Sequence, residues 1–139
     1  MTPSRPARDP DHWLFKLDAE EWLRAAMGEL RRAEEAYTKK NGRAGLAGAR
    51  RAAGMALNGL LVVLPNDARG RSFMDHLLAL KTDALAPARV QAAAKVLVDT
   101  PLPGGELVAL RTGSADHRVL EATRDIVAHA LALVRRGSA

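Results

Sequence analysis

Residues 43–64 read RAGLAGARRAAGMALNGLLVVL and are closed by Pro65. Leu46, Ala49, Ala53, Leu57, Leu60, Leu61 and Leu64 recur at the three- and four-residue spacing of one helical face. Proline has no N–H to continue the helix, so the expected helix spans 43–64. Gly45, Gly48, Gly54 and Gly59 each weaken it by up to ~1 kcal/mol against alanine. Such a helix makes sense only where neighbouring helices come very close. The stretch contains no acid but carries Arg43, Arg50 and Arg51. They are either solvated arginines beside tight packing or a basic wall along a ligand groove.

Upstream, residues 19–40 predict a first long helix. Asp18 and Glu21 have the spacing of a capping box. Trp22, Ala26, Leu30, Ala33 and Tyr37 form its apolar stripe, with Glu20, Arg24, Arg31, Glu34 and Glu35 on the other side. Asn41-Gly42 is expected to end it. Residues 1–17, with Pro3, Pro6 and Pro10, read as an N-terminal arm whose end is anchored by Trp13, Leu14 and Phe15.

Downstream, 66–70 is a loop by composition. Ser72 is an N-cap for a short helix over 73–85 with Phe73, Leu77, Leu78 and Leu80 inward. A second short helix follows Pro87 over 88–99, burying Val90, Ala93, Ala94 and Leu97. Residues 100–105 (TPLPGG) break the chain, and 106–110 is apolar and undecided between a turn and an extended strip. The last helix is expected over 115–135, with Val119, Thr123, Ile126, Val127, Ala130 and Val134 as its stripe. These one-sided helices need mutual burial. The expected fold is therefore all-α, an up-down bundle of four to five helices in a single domain over 18–136, with a homodimer covering further apolar surface.

Composition agrees. Leu, Ala and Val dominate a hydrophobic fraction of 47%, aromatics are 4%, and the balance favours helix over sheet. With no cysteine, disulfides and thiolate chemistry are excluded. A net charge of +5 permits nucleic acid or an acidic partner. No apolar run approaches the ~20 residues of a membrane span. The opening residues lack the apolar core of a signal peptide, so the expected location is the cytoplasm, without membrane contact.

Arg111 and His117 are the one pair in the chain that looks like chemistry. Gly113 breaks the chain, Ser114 is a good N-cap, and His117 then falls in the first turn of the last helix. Histidine transfers protons near neutral pH, and arginine forks onto phosphate oxygens. RNA supplies its own 2′-hydroxyl nucleophile, so neither metal nor cofactor is expected. Thr112, Arg50 and Arg51 are the candidate substrate-binding residues beside the catalytic candidates Arg111 and His117.

The layout (long first helix, Gly/Ala-rich second helix, short middle helices, a Pro/Gly break before the last) resembles the HEPN superfamily. Its signature is Arg, four to six residues, then His, and here Arg111 and His117 enclose five. The resemblance covers about 18–135. It implies a dimeric helical bundle that cuts RNA without metal to a cyclic phosphate, in toxin–antitoxin or other defence systems, with an antitoxin as partner. Three positions depart from the family pattern. Val119 stands where one toxin class carries a modifiable Tyr, Thr112 where Asn or Asp is commoner, and the second helix lacks the usual glutamates or aromatics.

The other histidines read differently. Asp125 and His129, at i and i+4, suggest a surface ion pair or a carboxylate-satisfied histidine, ahead of a metal pair that lacks further ligands at fixed spacing. Asp75 and His76 point to different sides of a helix and mark no site, and His12 lies in the arm. Trp13 and Trp22 read as core anchors. The alternative function is a non-catalytic helical module that binds a protein, such as an enzyme it regulates, or a small ligand. It would show an exposed apolar face or a dry pocket away from His117.

Overall fold

The computed structural model describes residues 13–65, 70, 72–101 and 112–137, with the backbone alone at 13 and 112–115. His12, residues 66–69 of the expected loop, the stretch 106–110 and Arg111 lie outside the described residues. Within them a 3-10 turn, Trp13–Lys16, precedes five α-helices: α1 Ala19–Thr38, α2 Gly42–Val63, α3 Phe73–Lys81, α4 Ala88–Asp99 and α5 Thr112–Gly137. No strand forms among the described residues. The all-α bundle expected from the sequence is the observed architecture.

Capping starts α1 and α3 where their sequences imply. The Asp18 carboxylate accepts from the Glu21 amide at 2.8 Å, and Glu21 accepts from the Asp18 amide at 3.0 Å. Ser72 and Asp75 repeat this box at α3. Ahead of α1, Leu14 is buried and its carbonyl accepts the Trp22 indole N–H at 2.9 Å. The end of the arm is thereby fixed to the bundle.

The α1–α2 junction corrects the sequence reading. The left-handed residue is Lys40, with φ 59°, rather than Gly42. The Lys40 amide reaches Tyr37 O at 2.9 Å and the Asn41 amide reaches Ala36 O at 2.8 Å. This is the Schellman pattern that closes a helix end. Asn41 then caps α2, its side chain accepting from Ala44 N at 3.2 Å, and Gly42 belongs to α2. One asparagine thus serves both helices, and a three-residue turn forces them antiparallel.

Helix α2 is the axle of the fold. Thirteen of its 22 residues are buried, so it is covered on several sides, and it touches the 3-10 turn and all four other helices. Its glycines explain how. A Cβ on Gly48 would lie 3.2 Å from the Ala33 methyl, one on Gly59 3.1 Å from the Ala19 carbonyl, and one on Gly45 2.7 Å from the Tyr37 ring. Gly54 faces the Phe73 ring of α3 in the same way. The close approach expected of these residues is realised, mainly against α1.

Two apolar clusters fill the interior. One joins Leu14, Leu23, Leu61 and Val134 around α1, α2 and the end of α5. The other joins Leu46, Leu77, Leu97 and Ile126 and takes in α3 and α4. All six stripe residues expected on α5 are buried, as are the four on α4.

Two further corrections concern boundaries. Helix α3 stops at Lys81, short of 85, because the Asp83 carboxylate takes the Leu85 amide at 2.9 Å and turns the chain. Leu78 is 46% exposed and Leu85 96% exposed, so Leu78 is not on the inward side. Helix α5 begins at Thr112, which places Gly113 and Ser114 inside it and makes His117 its sixth residue, past the first turn. Once a helix is nucleated each added residue contributes a hydrogen bond, which offsets the ~1 kcal/mol disadvantage of one glycine.

Candidate functional site

His117 projects from the second turn of α5 with its side chain 72% exposed. Its Nε2 lies 3.9 Å from Glu121 Oε1, one turn along the same face. Glu121 Oε1 is in turn 3.7 Å from Arg124 Nη1, and Arg124 Nη2 is 3.6 Å from Glu34 Oε1 on α1. Imidazole, carboxylate, guanidinium and carboxylate therefore run along the α1–α5 seam. An exposed imidazole in this setting can take or give a proton to a group arriving from solvent.

The residue before it in sequence is less exposed. Asp116 is half-buried, and burial pushes its carboxyl above the ordinary carboxylate range. Tyr37 packs its ring on Gly45. Burial first, and then the negative charge of Asp116, push its phenol up to about 12, against the opposing Arg50 charge. Tyr37 is thus a proton-bearing hydroxyl throughout the neutral range.

The remaining site candidates divide. Arg50 Nε donates to Leu97 O at 2.8 Å and Nη2 donates to Thr100 O at 2.9 Å, with a longer approach to Val98 O at 3.5 Å. The guanidinium is part-buried and clasps the carbonyl end of α4 to α2. Arg51 points outward and meets Glu29 at 3.2 Å, a carboxylate shared with Arg32 at 2.9 Å. Neither arginine is brought to His117 by a contact. Thr112 begins α5, but its side chain, like Arg111, lies outside the described residues.

One buried polar pair escaped the sequence reading. His76 is fully buried, and its Nε2 lies 2.7 Å from Asn58 Oδ1. An amide oxygen can only accept, so Nε2 carries the proton. His76 also lines a small apolar pocket with Leu57, Leu60 and Leu61. A signal was present: His76 falls three and four residues from Phe73 and Leu80, on the inward stripe of α3. Asp125 meets Arg89 of α4 at 3.0 Å.

Among the described residues, no three His, Asp or Glu side chains gather to hold a metal ion, and no helix is long and apolar enough to cross a membrane. No protein-family model matches this chain, and comparison with curated proteins and with solved structures finds no similar one.

Proposed function

We propose that the chain is an RNA-binding and RNA-cleaving module of HEPN type, acting without metal as a homodimer in a toxin–antitoxin or defence setting. The observation that supports it is the solvent-open imidazole of His117, near the amino end of the last helix of an all-helical bundle. In this reading the 2′-hydroxyl of RNA attacks the adjacent phosphorus and its 5′-oxygen leaves. His117 moves the proton and Arg111 steadies the phosphate charge as it develops. Pairing two copies brings two histidines and two arginines to one strand.

The test is single-stranded RNA incubated with the protein in the presence of a chelator. The parent leaves cyclic-phosphate ends. His117→Ala loses cleavage with an unchanged helical circular dichroism spectrum, and Arg111→Lys fails as well, because a point charge does not replace the planar fork. Equal cleavage by His117→Ala and the parent removes the proposal.

The second reading, a non-catalytic interaction module, draws support from Leu78 and Leu85, which stand 46% and 96% exposed on α3 and the turn after it. It is favoured if the parent leaves RNA intact.

A further inference from the structure

Lys40 occupies a backbone conformation that suits glycine. At φ 59° its Cβ is crowded by its own carbonyl, a strain that glycine does not have. Among the described residues Lys40 has neither a hydrogen bond nor an ion pair from its side chain, and it is exposed. Arg43, in the first turn of α2, is likewise exposed and unpaired among the described residues. Their neighbours differ: Lys39 is held by Glu35 at 2.9 Å, and Arg32 and Arg51 share Glu29. A strained, unneutralised cation is better explained by something it binds than by the turn it sits in.

This end of the bundle is also the end that carries His117. Arg124 and Glu34 meet across the α1–α5 seam at 3.6 Å. Lys40 lies six residues beyond Glu34, and His117 seven residues before Arg124. At ~1.5 Å per residue each is roughly 10 Å from that ion pair. The direction is the same for both, since Asp116, next to His117, acts electrostatically on Tyr37, three residues before Lys40. The contacts of His117 with Glu121, and of Glu121 with Arg124, keep the imidazole on the α1 side of α5.

We infer that Lys40 and Arg43 hold the phosphate backbone of a single RNA strand whose path continues to His117. This rests on the RNA reading given above and adds to it the surface that grips the strand. Two exposed cations release counterions when they meet phosphates, so their contribution is read in the salt dependence of binding.

The experiment uses a fluorescent oligo-uridine strand and fluorescence anisotropy over a salt series. The protein carries His117→Ala so that binding is read without cleavage, and Lys40→Gly and Arg43→Ala are added singly and together. The double change lowers the slope of log affinity against log salt by about 1.4, at ~0.7 for each phosphate contact. Lys40→Gly alone raises the thermal midpoint while weakening binding, and a merely structural role for Lys40 cannot produce that combination. An unchanged slope in the double variant overturns the inference, and if the parent still cleaves, the nuclease reading survives it. Binding that depends on both residues in a protein that never cleaves keeps this surface and removes the nuclease. A parent that neither binds nor cleaves removes both.

Discussion

Arg50→Met removes a guanidinium and keeps an unbranched stem of similar reach. In the folded protein that guanidinium donates to Leu97 O at 2.8 Å and to Thr100 O at 2.9 Å. These carbonyls belong to the end of α4, where the helix itself supplies no donor. A hydrogen bond from a charged donor contributes about 1.5–3 kcal/mol, so two well-formed bonds set a ceiling of about 6 kcal/mol. Because the group is part-buried, water reaches the carbonyls after the substitution and recovers some of this, leaving an expected loss of about 2–4 kcal/mol. Arg51→Met is the control. It deletes the same charge one position along, but from an ion pair whose arginine side chain is 47% exposed. Its expected effect is within about 0.5 kcal/mol. Urea unfolding of both variants, with m unchanged, reads the contrast directly. Arg50→Lys should regain less than half the loss, since one ammonium does not span both carbonyls. Equal midpoints for Arg50→Met and Arg51→Met would falsify the assignment of Arg50 as the clasp between α2 and α4.

Two further expectations come from packing and titration. Gly28 on α1 has open space around a built Cβ, the nearest atom being Arg32 Nη1 at 3.8 Å, so Gly28→Ala should stabilise by about 0.5–1 kcal/mol. Gly54→Ala gains the same helical preference but drives a methyl into the Phe73 ring, for a net loss of about 1–3 kcal/mol; thermal melts with opposite shifts are expected, and two upward shifts would contradict the packing. Tyr37 is the only tyrosine, and its phenol is pushed up to about 12 from 10.0. Between those values the unfolded chain gives up a proton that the folded chain keeps. The associated stability is complete below the lower value and falls as pH rises toward the upper one. Phenolate absorbance should therefore rise only near 12 in the folded protein, and Tyr37→Phe should lack this alkaline loss in urea midpoints; a phenolate transition at 10.0 would contradict it.

Much of this architecture is written in local periodicity. Val119, Thr123, Ile126, Val127, Ala130 and Val134 mark one face of α5 because each apolar contact recurs every turn, and the buried set on α4 is legible for the same reason. The glycines of α2 were legible as a demand for close neighbours, though not as to which neighbour each would meet. Partners distant in sequence were hidden. Arg50 finds its carbonyls 47 and 50 residues away, and His76 finds Asn58 18 residues away. Neither side chain's local surroundings specify such a partner, so a histidine read as marking no site is buried against an asparagine and an arginine read as a ligand-groove candidate closes a helix. The reach of α5 back to Thr112 was hidden because glycine and serine also stand inside helices when packing holds the rest. At the candidate site, the exposure of His117 agrees with its place among the polar residues of its helix, while its seam with Glu121, Arg124 and Glu34 required the placement of α1.

Starting α5 at Thr112 alters what that helix can offer His117. Within a helix, the amide groups left without a helical partner at its amino end belong to its first three residues, here 112–114. The favourable field for an anion falls off within the first turn. His117, the sixth residue of α5, lies beyond that region, and the Glu121 carboxylate stands 3.9 Å from its Nε2. The imidazole is therefore better matched to handling a proton than to binding phosphate by charge. On the RNA reading the two tasks separate in space. Arg111 steadies the reacting phosphate, Lys40 in the α1–α2 turn and Arg43 in the first turn of α2 would hold other phosphates of the strand, and His117 is left to reach the oxygen that gains or loses the proton. A strand lying across the α1–α2 turn toward the α5 seam would then be held away from the helix terminus where the proton is moved.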